Sequence, residues 1–501
     1  MTASPSSKPA RALEALSRFF STPLETELGR SLTERPAAAA LELFRGVLRD
    51  VPAYPLFLQT AGCDPGSIQS EADFARVPPA TKDNYQRRHT LAALCRHGEL
   101  SGSDMLAVSS GSTGEPAVWP RFVSDEVGTA YRFEQVLRDA FAADRRRTLA
   151  VVCFALGSWV GGMYTTACLR HVAAKGYPLT VVTPGNQKAE ILRVLRALGP
   201  SFEQVVLCGY PPFLKDVIDS GRADGFDWHA QPVKLVMAGE VFSEEWRSIV
   251  CERLGQRQPE LATASLYGTA DGGVLANETP LSIALRRQLA QAPELAPELF
   301  GESRLPTLCQ YDPLHRYFEA VDGELLFSGD GGVPLVRYRI LDRGGVHDFE
   351  NLTARVANGQ ALGELTQRGV VARRLPFVHV FGRSNFALSF YGANVYPENV
   401  AVGIEQPALL ASLSGKFVMQ IAHDADQNPA LDIAVELLPG QASSAELERD
   451  VAVSVQRELE RLNSEFKNYA PAERRTPRIR LLPHADPAYF PVGVKHRYTR
   501  T

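Results

Sequence analysis

The sequence predicts an α/β fold: a large N-terminal domain with mostly parallel sheets, a barrel-like subdomain appended to it, and a small α+β C-terminal domain. Three observations carry this prediction. At 501 residues the chain is longer than one hydrophobic core usually supports. Through its middle, short β-rich runs alternate with helical patterns, the mark of a parallel sheet covered on both faces. After residue 305, strand patterns follow one another with no helix between them.

In chain order, the first ten residues read as a disordered leader. From 35 to 100 the pattern is helical, with KDNYQRR (82–88) opening onto a helix. Strands are expected at TLAVVCFAL (148–156), LTVVTP (179–184), QVVLCG (204–209), VKLVMAG (233–239) and TASLYG (263–268). Helical stretches such as AEILRVLRALG and PPFLKDVIDSG separate them. Ligands of such sheets gather at the carboxyl ends of the strands, where the glycines of these segments also fall. GELLFSG (323–329) and VPLVRYRIL (333–341) then read as antiparallel strands of a subdomain spanning 305–384. A break follows GRSN (382–385), dividing the chain into 1–384 and 385–501. Beyond it come a hairpin in KFVMQIAHDADQNPALDIAVEL, an amphipathic helix over 443–466 and a strand at RIRLLP.

Composition narrows the function classes. A net charge of -4 offers no broad basic surface, so no nucleic-acid partner is expected. The 7 cysteines are widely spaced without a CxxC pair, which points to a reducing compartment rather than a disulfide framework or zinc knuckle. The 10 histidines show no HxxxH spacing, so no transition-metal site is expected. With no apolar run long enough to span a bilayer and no secretory signal, the expectation is a cytoplasmic protein without a membrane partner.

Five motifs could carry chemistry, and each has a plainer reading. SSGSTG (109–114) lacks the spacing and the lysine of a Walker A loop; its glycines and hydroxyls suit either an anion cradle or a Ser/Gly turn. YGTAD (267–271) offers an aromatic face and a carboxylate able to hold Mg²⁺, or a turn ending in a solvated Asp. In RYRILD (337–342) the final aspartate could accept ribose hydroxyls or cap the RGG turn after it. GRSN supplies an arginine suited to ribose or phosphate, or one lying at the surface. FPVGVKHRYTR (490–500) ends the chain with a lysine that would ordinarily be solvated.

Taken in order, these motifs resemble the adenylate-forming superfamily of acyl- and aryl-CoA ligases, and most closely its phenylacetate–CoA ligase branch. SSGSTGEP, AGEVFSEEWR (238–247), YGTAD, YRILD, GRSNFALSFYGANVYPENV and VGVKHR follow the family's sequence of motifs over roughly residues 45–500. The resemblance implies that Ser109, Ser110, Gly111, Ser112, Thr113 and Gly114 enclose the β- and γ-phosphates of ATP. Gly239, Glu240, Tyr267, Gly268 and Thr269 would line the adenine and acyl pocket, and Asp271 would place Mg²⁺. Asp342 would bind the ribose, with Arg383 nearby and Asn385 as the hinge of a mobile lid. Lys495 would touch both the substrate carboxylate and the α-phosphate. GSWVGGMYTTA (157–167) and CGYPPF (208–213) match the segments lining the acid site, where Trp159, Met163, Tyr164, Tyr210 and Phe213 could embrace an aromatic acid or simply pack the core.

The implied activity is ATP- and Mg²⁺-dependent conversion of an aromatic carboxylic acid to an acyl-adenylate, then a CoA thioester. A homodimer fits the resemblance. Several positions depart from the pattern. Asn385 stands where Asp is usual, Ala270 replaces a hydroxyl, Ile340 and Leu341 replace Thr-Gly before Asp342, and Val494 separates Gly493 from Lys495. They keep two alternatives open: transfer to a carrier-protein thiol or an amine instead of CoA, and a nucleotide-binding protein with weakened catalysis.

Overall fold

The computed structural model describes residues 8–109, 117–157, 160–292, 294–302, 305–356, 360–383, 387–409, 411–490 and 498–500, with the side chains of Ser109, Pro212, Arg383 and Glu398 left aside. The sequence reading fits its mixed α/β architecture, a large sheet joined by smaller ones.

The N-terminal region is helical, as at Pro36–Asp50 and Ala53–Thr60, but KDNYQRR does not open onto an α-helix. It forms turns and a single 3₁₀ turn at Gln86–Arg88. Backbone bonds explain the difference: Ala80 pairs in parallel with Tyr338, and Asn84 and Thr81 bond each other's backbone N–H groups, holding this segment against the sheet.

Two strands unrecognised in the sequence come next. β1 (Met105–Ser109) and β2 (Ala117–Arg121) pair antiparallel, with Ser109 opposite Ala117, so SSGSTGEP is the connection between them. Residues 110–116 themselves lie outside the described residues.

The parallel half of the main sheet is built from β3 (Thr148–Val152), β4 (Leu179–Val182), β5 (Gln204–Gly209), β6 (Val233–Ala238) and β7 (Thr263–Thr269). Helices Val160–Ala174, Lys188–Leu198, Pro211–Ala223 and Glu244–Arg253 connect successive strands. β3, β5 and almost all of β6 are buried along their length, as apolar runs covered on both faces must be. The antiparallel half adds β8 (Gly273–Asn277), β9 (Thr307–Gln310), β10 (Tyr317–Val321), β11 (Glu324–Gly329), β12 (Leu335–His347) and β13 (Phe377–Arg383). Together they make one 11-stranded sheet of order β10-β11-β12-β13-β9-β8-β7-β6-β5-β3-β4.

β12 corrects one reading. The RGG after Asp342 is not a turn, because the strand runs on to His347. Gly344 lets β13 approach: a Cβ there would lie 2.1 Å from the His379 carbonyl oxygen.

Hairpin β14 (Leu388–Phe390) to β15 (Ala393–Val395) turns through Tyr391 and Gly392, both at positive φ, as a tight type I′ turn requires. β16 (Leu413–His423) and β17 (Pro429–Leu437) form the expected antiparallel pair, and β18 (Arg478–Leu482) joins β17 in parallel. The expected helix over 443–466 is instead two, Ala445–Leu462 and Ser464–Tyr469. Asn463 leaves the helical conformation and its side chain accepts the Phe466 N–H, capping the second. One apolar core runs from β3 and β5 into this C-terminal unit, taking in Tyr210, Phe390, Tyr391, Val455, Phe466 and Tyr469. No helix among the described residues is long and apolar enough to cross a membrane.

Candidate active site

Strand ends bring several of the sequence candidates together. β7 leaves the parallel half of the sheet at Tyr267, whose hydroxyl donates to Asp342 Oδ2 at 2.6 Å. Its ring stacks on Phe318 with centroids 6.2 Å apart. Asp342 is buried on β12, directly opposite Arg383 on β13 in the antiparallel register. Leu341, just before it, holds φ at +68°, a backbone shape that glycine adopts freely and other residues rarely do. Gly268 follows Tyr267 at an exposed position, and the Thr269 hydroxyl accepts the Gly272 N–H at 3.0 Å.

The loop after β6 carries the second group. Gly239 has φ +86°, and a Cβ there would lie 2.9 Å from the Tyr210 ring. Glu240 accepts the backbone N–H of Gly392 at the hairpin tip, and the Ser389 hydroxyl donates to the Gly239 carbonyl at 3.2 Å. Loss of water raises the Glu240 pKa to about 7, although the Gly392 N–H and Ser389 favour its ionised form. A buried charge network supports this loop. Arg286 bonds the Phe242 carbonyl and Glu244, and Arg247 ties Glu244 to Glu278.

Asp271 is placed differently from the sequence expectation. Its carboxylate is 4% exposed, with Tyr338 donating to Oδ2 at 2.7 Å and the Lys82 ammonium 3.2 Å from Oδ1. Arg121 donates to the neighbouring backbone carbonyls of 270 and 271. An ammonium at that distance competes with a dication, so the donor set at Asp271 does not suit Mg²⁺ in this arrangement. Among the described residues, no group of three His, Cys, Asp or Glu side chains could hold a metal ion.

The acid-site candidates divide. Tyr164 is buried, with its hydroxyl donating to the Asp125 carbonyl at 2.9 Å and lying 3.1 Å from the Thr129 hydroxyl, so it packs the core. Phe213 is buried in the same core. Met163, on the helix Val160–Ala174, is 44% exposed. Tyr210 meets Phe154 edge-on, with centroids 4.9 Å apart. Ser110, Gly111, Ser112, Thr113, Gly114, Trp159, Asn385 and Lys495 lie outside the described residues, as do the side chains of Ser109 and Arg383.

Sequence reasoning missed Lys82, Arg121 and Tyr338. Lys82 and Tyr338 each sit in or beside a quoted motif, yet nothing local in sequence shows that they converge on Asp271.

No protein-family model matches this sequence, and no curated protein does. Solved structures do. A 2-hydroxyisobutyryl-CoA ligase, in complex with 2-HIB-AMP and CoA in the thioesterification state, superposes with a TM-score of 0.64 at 15% identity, over 97% of this chain and 91% of that one. This chain has the fold of that ligase. An open conformation of the same ligase matches with a TM-score of 0.53 at 14% identity, over 93% of this chain and 90% of the other. The same ligase with 2-HIB-AMP in the postadenylation state gives 0.52 at 13% identity, over 93% and 87%.

Proposed function

We propose that this protein is an adenylate-forming ligase that uses ATP to activate a carboxylic acid and passes the acyl group to CoA. The observation that carries the reading is the meeting of Tyr267, Asp342 and Arg383, separated widely in sequence, at a hydrogen bond of 2.6 Å and a direct strand pairing. These are the positions that the motif resemblance assigns to adenine and ribose. The phenylacetate–CoA ligase-like motifs PLVRYR and GANVYP, with the aromatic pair Phe154 and Tyr210, favour an aromatic acid.

In this reading the Ser/Gly connection from β1 to β2 holds the β- and γ-phosphates through backbone N–H groups and hydroxyls. Gly239 and Gly268 let backbone approach the nucleotide closely, and Tyr267 orients Asp342 toward the ribose. The acid's carboxylate oxygen attacks the α-phosphorus, the bond to pyrophosphate breaks, and Lys495 offsets the repulsion between the two anions. A thiol then attacks the acyl carbon and AMP departs, with residues 385–501 acting as the lid.

The test is acid-dependent exchange of labelled pyrophosphate into ATP across a panel of aryl and alkyl acids. Exchange with at least one acid supports adenylation, and its absence with every acid refutes it. Product analysis with CoA, a carrier-protein thiol or an amine then fixes the acceptor.

A further inference from the structure

Tyr210, one of the acid-site candidates, is a buried ring with an unusual set of neighbours. Its ring is 7% exposed, and it fills a slot made by two missing side chains. A Cβ on Gly392, at the tip of the β14–β15 hairpin, would lie 2.3 Å from that ring, and one on Gly239 would lie 2.9 Å from it. The remaining side is covered by Tyr469, from helix Ser464–Tyr469, with centroids 5.1 Å apart and planes 31° apart. Tyr210 directly follows β5 and precedes the helix Pro211–Ala223, whereas Gly392 and Tyr469 belong to the C-terminal unit. One aromatic ring is therefore shared between the candidate acid site and the unit proposed as the lid.

The contact is framed by polar pairs that fix its register. The Lys215 ammonium, on a fully buried side chain, bonds Asn428 at 2.8 Å and Asp219 at 2.7 Å. Arg253 reaches Asp426 at 3.2 Å, and the Asn186 amide donates to the Asn468 carbonyl at 2.5 Å. Undocking would cost the buried Lys215 ammonium its Asn428 bond and leave Asp219 as its partner, so polar pairs as well as apolar contact set this docking geometry.

We propose that Tyr469 is a positioning residue for acyl transfer: seated against Tyr210, it holds that ring as the wall between the acid site and the hairpin, and so ties the transfer step to docking of the C-terminal unit. This rests on the ligase reading. In the transfer, the CoA sulfur bonds the acyl carbon, the bond from that carbon to the AMP oxygen breaks, AMP leaves with the electron pair, and the thiol proton passes to solvent. The nucleotide positions that adenylation needs are on β7 and β12, whereas Tyr469 packs on Tyr210 at the candidate acid site, and transfer further needs the acyl carbon held still while a thiol approaches.

The experiment compares Tyr469→Leu, which keeps apolar bulk without the ring, and Tyr469→Phe, which keeps the ring. For Tyr469→Leu we expect thioester formation with CoA roughly tenfold or more slower, and a clearly smaller loss of pyrophosphate exchange, since a misplacement of about 1 Å can cost 100-fold. Tyr469→Phe should restore transfer. Equal losses in both half-reactions, or unchanged transfer in Tyr469→Leu, would overturn the proposal. Hydrogen exchange gives a readout independent of activity: residues 207–213 and 388–395 should lose protection in Tyr469→Leu alone, and unchanged protection overturns the docking role. Should wild-type protein exchange no pyrophosphate with any acid, the ligase reading fails, while hydrogen exchange still decides whether Tyr469 holds Tyr210.

Discussion

The Tyr267 hydroxyl lies 2.6 Å from Asp342 Oδ2, tying the end of a parallel strand to the middle of an antiparallel one. A hydrogen bond to a carboxylate is worth about 1.5–3 kcal/mol, so Tyr267→Phe should leave the fold intact and loosen Asp342. If Asp342 holds the ribose, the KM for ATP rises roughly tenfold while kcat changes little, each tenfold being about 1.4 kcal/mol. Pyrophosphate exchange at varied ATP measures both constants. A loss confined to kcat would remove Asp342 from nucleotide binding.

Leu341 poses a conformational question that side-chain chemistry can answer. Its φ of +68° costs an L-residue about 1–2 kcal/mol, a strain that glycine escapes. Leu341→Gly gives up half-buried apolar area but relieves this strain, so its stability should stay within about 1 kcal/mol of wild type. Leu341→Ile keeps the area and adds a β-branch, which suits left-handed backbone poorly. It should be clearly less stable. Denaturant midpoints of the two variants check the order, and a more stable Ile variant would contradict the left-handed backbone.

Much of this was legible because it is local. β3, β5 and β6 announce themselves as short apolar runs, and the β16–β17 hairpin brackets a polar turn in which Asp424 accepts the N–H groups of Asp426 and Asn428. What stayed hidden depends on distant partners. RGG looks like a turn until His379 is seen lying against Gly344 and Gly345. The helix break at Asn463 needed its side-chain cap to be visible. Asp271 reads as a metal ligand in its motif, but Lys82 and Tyr338 reach it from other elements. Tyr164, Phe213 and Tyr210 look like ligand-facing aromatics, and only the packing shows that all three are buried in one core.

Glu240 predicts a pH dependence with a definite sign. Burial raises its pKa from 4.5 to about 7, so the folded chain holds a proton there that the unfolded chain has released. Stability from this group is therefore full below pH 4.5 and is lost as pH rises toward 7. Asp125 and Asp216, both raised by burial to about 6, act in the same direction over a lower range. Glu240→Gln should lessen this fall from about pH 4.5 upward and remove most of its upper part, above about pH 6, where Asp125 and Asp216 add little. Thermal midpoints across that range, wild type against variant, are the check. An identical pH profile would mean that Glu240 is not protonated against Gly392.

Lys82 supplies the final prediction. Its ammonium, only partly exposed, faces a carboxylate that is 4% exposed, and Tyr338 donates to the other oxygen. Removing one partner of a buried pair costs about 3–5 kcal/mol, and the solvent reaching Lys82 should reduce this to about 1–3 kcal/mol for Lys82→Met. The double variant Lys82→Met with Asp271→Asn removes both charges and should recover most of that loss, because no uncompensated carboxylate then remains. Denaturant unfolding of the two single variants and the double measures the coupling directly. The same set reports on the phosphate chemistry. If Asp271 serves only to anchor Lys82 and β12, the double variant keeps acid-dependent pyrophosphate exchange with an unchanged requirement for Mg²⁺. If Asp271 instead leaves Lys82 for the metal during turnover, exchange in the double variant demands a higher Mg²⁺ concentration even though stability is restored. A magnesium titration of exchange separates the two outcomes.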